Sequence, residues 1–199
     1  MKIIGIIGSP RNNSNTEILV KKAMEGAGEA GAEIEIIDIT QQSINPCNGC
    51  ALCLDTSECV ISDDMHYTYA KLLEADGILI GTPVYFWNVS SQVKIMIDRT
   101  YPFMWNRKLR GKVGGIAVVA RRAGCGNTYS FLVDYFTLMR MTIGGGVIGY
   151  ADQPGDITKD TEAMTQAKAA DRAMGKAIEK AKPSQCNPYL DTSASLKRH

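Results

Sequence analysis

Apolar residues along this chain fall into short runs that alternate with stretches of helical spacing. Lys2–Gly8 (KIIGIIG) is brief and rich in isoleucine, as expected of a strand buried on both faces of a parallel sheet. From Thr16 to Gly31 the apolar positions recur at helical intervals through Ile18, Leu19, Val20, Ala23 and Met24, and glycines close the segment. Glu33–Ile39 reads as a second strand, Asp63–Ala75 as a helix carried by Met65, Ala70, Leu72 and Leu73, and Asp76–Gly81 as a third strand. Ser90 or Ser91 caps a helix holding Val93, Met96 and Ile97 and running to Thr100. Val113–Ala120 is a fourth strand, Thr128–Met141 a helix and Gly146–Tyr150 a fifth strand. A last helix spans Thr158–Lys182, with Ala163, Ala167, Ala170, Met174, Ala177 and Ile178 on one face.

Strands alternating with helices predict an α/β fold. Right-handed crossovers and this length favour a flavodoxin-like three-layer sandwich, with a five-stranded parallel sheet in the order 2-1-3-4-5. Residues 1–182 form the expected domain and residues 183–199 a polar C-terminal tail. Two connections exceed a simple turn, Gln41–Ser62 and Tyr101–Lys112, and long loops inside compact domains tend to be functional. With 22 Lys and Arg against 21 Asp and Glu, the net charge of +1 argues against a nucleic-acid binder. No apolar run reaches the roughly 18 residues of a membrane span. Only Lys2 precedes the first apolar stretch and Gly5 interrupts it, so a signal peptide is not expected and the cytoplasm is the expected compartment.

Ligands of doubly wound sheets bind at the carboxyl ends of the strands. The first loop there, Gly8-Ser9-Pro10-Arg11-Asn12-Asn13-Ser14-Asn15-Thr16, is neither a dinucleotide fingerprint nor a P-loop. It offers the hydroxyls of Ser9, Ser14 and Thr16, the amides of Asn12, Asn13 and Asn15, and the Arg11 guanidinium around a helix start. That set suits one terminal phosphate. A helix cap in a polar turn is the plainer alternative, but a cap needs only one such residue. After the third strand comes Gly81-Thr82-Pro83-Val84-Tyr85-Phe86-Trp87-Asn88, whose three consecutive aromatics can serve a flat ring or pack under the next helix. A phosphate loop beside an aromatic loop fits FMN better than a dinucleotide.

These two stretches, GSPR-x2-SNT and GTPVYFWNVSSQVKIMIDR, resemble the NADPH-dependent FMN reductase family of flavodoxin-like proteins. With the motif Cys47-x2-Cys50-x2-Cys53-x5-Cys59 between them, the chain is similar to the iron–sulfur flavoproteins of anaerobic archaea and bacteria. The resemblance implies FMN, a [4Fe–4S] cluster, and assembly into homodimers or homotetramers. It places the phosphate on Ser9, Arg11, Ser14, Asn15 and Thr16, and the isoalloxazine against Pro83, Val84, Tyr85, Phe86, Trp87 and Asn88. A third contact falls on the loop after the fourth strand, at Ala120, Arg121 and Gly126. Arg121, Arg122 and Cys125 depart from the glycine-rich sequence usual in that loop of simple FMN reductases.

Four of the six cysteines, Cys47, Cys50, Cys53 and Cys59, are spaced C-x2-C-x2-C-x5-C. Clustered thiols in a chain without an export signal bind metal or do redox chemistry more often than they form disulfides. A compact C-x2-C-x2-C run supplies three ligands of an iron–sulfur cube, and Cys59 closes the set. Structural zinc is the alternative, although it usually takes two separated C-x2-C knuckles. Cys125, Cys186, His66 and His199 have no evident ligand partner. Tyr101, Phe103 and Trp105 are read either as core or as an aromatic loop meeting the flavin of a neighbouring subunit.

The expected function is electron transfer from a low-potential, ferredoxin-like one-electron donor, through the cluster, to FMN and a small acceptor such as oxygen, peroxide or quinone. No side chain is assigned as acid, base or nucleophile, because the chemistry belongs to the cofactors. An NAD(P)H-dependent FMN or quinone reductase with a structural cysteine loop is the alternative, and a zinc-stapled FMN sensor is a third reading. Neither a membrane nor a nucleic-acid partner is expected.

Overall fold

A computed structural model describes residues 1–181. Five strands, β1 (Lys2–Ile7), β2 (Glu33–Asp38), β3 (Gly77–Pro83), β4 (Val113–Ala120) and β5 (Thr142–Tyr150), pair in parallel in the order β2-β1-β3-β4-β5. The order reverses beside β1, so the connections leaving β1 and β3 run to opposite faces of the sheet and open a crevice at the strands' carboxyl ends. The flavodoxin-like sandwich expected from the pattern is the fold observed.

Alternation within the strands sorts the core into two layers. Ile4, Ile6, Ile78, Ile80, Ile116 and Val118 face α3 (Met65–Glu74), α4 (Ser91–Arg99) and α6 (Cys125–Leu138). Ile3, Ile7, Leu79, Val113, Ala117 and Val119 face α1 (Asn15–Glu29) and α7 (Thr161–Ala181). The central strands are buried on both faces, which accounts for their unbroken apolar runs. The cysteine loop contains a single helical turn, α2 (Cys53–Thr56), and the second long connection begins with α5 (Tyr101–Trp105).

The differences from expectation have local causes. β5 begins at Thr142 rather than Gly146, because Gly144, Gly145 and Gly146 are strand residues over which α7 and α6 pack closely. A Cβ on Gly144 would lie 2.4 Å from Val113, and one on Gly146 2.5 Å from Tyr129. α6 begins at Cys125 rather than Thr128, behind Gly124 at φ +90. α7 begins at Thr161, where the Asp160 carboxylate accepts the Ala163 N–H at 2.9 Å and separates the helix from a 3-10 turn at Asp156–Lys159. The buried face of α3 is Met65, Thr68, Tyr69 and Leu72, whereas Ala70 and Leu73 face solvent. Cys186, His199 and the tail from 183 lie outside the described residues.

Candidate functional site

Two separate sites emerge, one at the carboxyl ends of the strands and one around the cysteines. In the first, Ser14 is the N-cap of α1, its Oγ accepting the Glu17 N–H at 3.0 Å. The N–H groups of Asn15 and Thr16 in the first turn have no intrahelical acceptor, and Ser9, Ser14 and Thr16 are buried. Ser9, Arg11, Ser14, Asn15 and Thr16 line a cleft of about 230 Å³ together with Pro83, Val84, Tyr85, Ala120 and Arg121. Asn15 reaches across it: its amide nitrogen donates to the Gln153 carbonyl at 2.9 Å, and its oxygen accepts the Ile157 N–H at 3.2 Å.

A buried knot joins the first loop to the third. Ser90, the N-cap of α4, donates through Oγ to the Gly8 carbonyl at 2.6 Å and accepts the Val93 N–H at 3.3 Å. Its own N–H donates to Thr82 Oγ1 at 3.0 Å. The approach leaves no room for a side chain at Gly8, where a Cβ would lie 2.1 Å from Val93. Beyond Val84 the chain makes a tight hairpin in which Tyr85 and Asn88 exchange both backbone bonds, at 2.9 and 3.0 Å. Its central residues, Phe86 (φ 46) and Trp87 (φ 65), are left-handed and exposed, a backbone region that bulky residues seldom adopt. They line a second cleft of about 300 Å³ with Val84, Arg121, Arg122 and Ala123, continuous with the first through Val84 and Arg121.

The cysteine site lies at the far end of α4 from that hairpin. Cys47, Cys50, Cys53 and Cys59 line one cavity of about 480 Å³, walled by Arg99, Tyr101, Met104 and Tyr135. Among the described residues, no three His, Cys, Asp or Glu side chains close on a point as ligands of a single metal ion would. Burial pushes the Cys53 thiol up, and the charges of Cys59, Cys50 and Cys47 add to the rise. Gly49 (φ 70) and Ala51 (φ 59) are left-handed, and the Cys50 N–H turns back onto Asn48 Oδ1 at 3.2 Å. Such turns present N–H groups on a concave surface suited to negative charge.

Arg99 closes the neck of this loop. Nη1 donates to Asp63 Oδ2 at 2.6 Å and to the Asn45 carbonyl at 2.7 Å; Nη2 donates to Asp63 Oδ1 at 3.0 Å and to the Ile61 carbonyl at 3.2 Å. The residues bracketing the cysteines are thus held by one fully buried guanidinium. Burial works against the charge of Asp63, but Arg99 and the N–H groups of Asn45 and Met65 outweigh it and hold the carboxyl at about 2. Burial likewise opposes the charge of Arg99, which Asp63, Tyr69 and Cys59 more than offset, raising its pKa. The Tyr69 hydroxyl donates to the Arg99 carbonyl; burial and the charge of Cys59 push that phenol up.

With this geometry in view, the sequence profile of the NADPH-dependent FMN reductase family matches residues 1–154. An iron–sulfur flavoprotein of Methanocaldococcus jannaschii is 38% identical over 178 residues, covering 84% of this chain and 92% of the relative. The chain belongs to the NADPH-dependent FMN reductase family, among its iron–sulfur flavoproteins. One from Methanosarcina thermophila is 37% identical over 150 residues, 73% of this chain and 78% of that one. The NAD(P)H:quinone oxidoreductase of Methanothermobacter marburgensis shares the fold, with a TM-score of 0.70 at 16% identity, covering 88% of this chain and 97% of that structure. Membership makes the chain a flavin-dependent oxidoreductase.

The structure gathers ten of the expected flavin-site residues into the first cleft and sets Phe86 and Trp87 in the adjoining one. Asn88 and Gly126 line neither: Asn88 closes the hairpin, and Gly126 lies within the first turn of α6. Asn15 spends its side-chain amide on the loop after β5, which leaves its backbone N–H as the group free to meet a ligand. Cys125 starts α6, buried, with burial raising its thiol against the opposing effect of the Tyr150 hydroxyl. Tyr101 lines the cysteine cavity rather than this chain's own first cleft, Trp105 stands edge-on to its ring, and Phe103 is core. Sequence reading missed Ala151, Asp152 and Pro154, which complete the cleft, Asp152 pairing with Arg121 at 2.5 Å. Their signal was their place after the last strand. Arg99 and Asp63 were missed because a buried ion pair between distant segments leaves no local pattern. Among the described residues no helix is long and apolar enough to cross a membrane.

Proposed function

We propose that the chain binds FMN in the strand-end cleft and a [4Fe–4S] cluster on Cys47, Cys50, Cys53 and Cys59. It would carry electrons from a ferredoxin-like donor to a small acceptor such as oxygen, peroxide or a quinone. The observation that carries this reading is the convergence of all four cysteines on one cavity, apart from a polar cleft that ends in exposed aromatics. A cube of iron and sulfide is a body rather than a point, and thiolates spread around a cavity suit it. The cleft suits FMN because helix-end N–H groups and hydroxyls meet a phosphate at one end, and the Phe86–Trp87 hairpin offers apolar surface at the other.

When bound, the flavin exchanges one or two electrons and the cluster one at a time, so the pair links carriers of the two kinds. The chain's own residues bind and orient. Ser9, Ser14, Thr16 and Arg11 would hold the phosphate, Ser90 keeps that loop fixed against the hairpin, and Arg99 holds the cysteine loop in place.

Anaerobically purified protein is expected to contain equal iron and acid-labile sulfide, four of each per chain, as well as FMN. Cys50→Ala should abolish the cluster absorbance and leave FMN bound; a variant with unchanged iron and sulfide overturns the assignment. The family's own name favours a second reading, direct reduction by NADPH. Stopped-flow mixing separates the two: flavin bleaching by NADPH alone at turnover speed favours the reductase, and bleaching only with reduced ferredoxin favours electron transfer.

A further inference from the structure

A guanidinium has five N–H donors. Arg99 uses four of them, two on Asp63 and one each on the carbonyls of Asn45 and Ile61. The fifth, Nε–H, is buried and has no acceptor. A buried donor without an acceptor keeps the full penalty of its lost hydration, so such an orphan calls for an explanation. The side chain that bears it lines the cysteine cavity and lies within electrostatic reach of Cys59. It is also fixed on every side, because the fork on Asp63 and the two carbonyls leave the guanidinium no second orientation. Among the described residues, no other arginine lines that cavity.

We infer that Arg99 tunes the metal centre, its Nε–H donating to a sulfur at the Cys59 end of the site. The inference rests on the cluster reading above. A hydrogen bond and a positive charge beside a sulfur both favour the reduced, more negative state of a cluster, and thus raise its reduction potential. Asp63 balances most of that charge, so the directional N–H is what remains to act on the sulfur. The same residue therefore closes the neck of the loop with four donors and serves the centre with the fifth.

The test uses the holoprotein with arginine labelled with ¹⁵N at Nε alone. Pulsed EPR of the reduced cluster is expected to show a ¹⁵N coupling from one nitrogen. Arg99→Lys, which keeps the charge and removes the Nε–H, is expected to lose that coupling and to show a lower midpoint potential in a redox titration. A cluster signal without ¹⁵N coupling in the parent protein overturns the inference, and so does an Arg99→Lys potential equal to or above the parent's. If Arg99→Lys fails to hold the cluster, the labelled parent decides alone. Protein with no iron and sulfide overturns the cluster reading itself, which keeps the two failures distinct.

Discussion

The strand-end cleft and the cysteine cavity are held in place by different means. Around the cleft, the loops are short, and the sheet itself delivers them: Ser14 caps a helix, Ser90 joins Gly8 to Thr82, and Gly8 permits a contact that a side chain would block. Around the cysteines, the sheet delivers nothing directly. A long connection meets the core through Ile44 and Cys59 and is tied at its neck by Arg99 and Asp63, with Cys47 and Cys50 exposed. The first site belongs to the fold, whereas the second is carried by it. Damage should therefore spread from the first into the domain and stay local in the second, except at the neck.

That exception gives the largest expected effect. Asp63→Ala leaves a buried guanidinium without its counter-charge and should cost about 3–5 kcal/mol, read by chemical denaturation. A loss under ~1 kcal/mol would show that the neck is not what anchors the loop. The same pair predicts an acid limb. The folded Asp63 carboxyl sits at about 2, below its unfolded value, so its stabilisation is complete above roughly pH 4–5 and is lost as pH falls toward 2. Asp63→Asn should flatten that limb in a pH series of unfolding midpoints, and an unchanged limb would assign it to other carboxylates.

On the other side of the comparison, Ser90→Ala removes a buried donor–acceptor and should cost about 1–3 kcal/mol. Because Ser90 fixes the first loop against the third, FMN affinity should fall with stability, measured by flavin fluorescence titration. Unchanged affinity would mean that each loop holds its place alone. The smallest effect is expected from Arg121→Ala: its ion pair with Asp152 is exposed and should contribute about 0–1 kcal/mol to stability. A larger loss would place the loop after β5 among the structural supports of the cleft.

The sequence made the fold legible because every strand and crossover helix carries its own apolar period. The first cleft was legible for the same reason, since its residues sit in loops whose position follows from strand order. Failures came where a packing partner overrode a local signal. Gly144–Gly146 looks like a turn until α7 and α6 are laid across it, and α3 buries Thr68 and Tyr69 in place of Ala70 and Leu73. The cysteine spacing raised the expectation of a cluster, but gave no sign of the ion pair that holds the loop, because Asp63 and Arg99 are 36 positions apart.

The Phe86–Trp87 turn also bears on how this protein could be improved. A two-residue hairpin of this kind is best built from Asn-Gly. Holding two bulky residues left-handed costs on the order of 1–2 kcal/mol each, so Phe86→Asn with Trp87→Gly should raise the unfolding midpoint. An engineer selecting only for heat resistance would remove both rings early. The resulting protein would be hardier and would lack the apolar edge of its second cleft, so any such screen should score flavin retention alongside temperature.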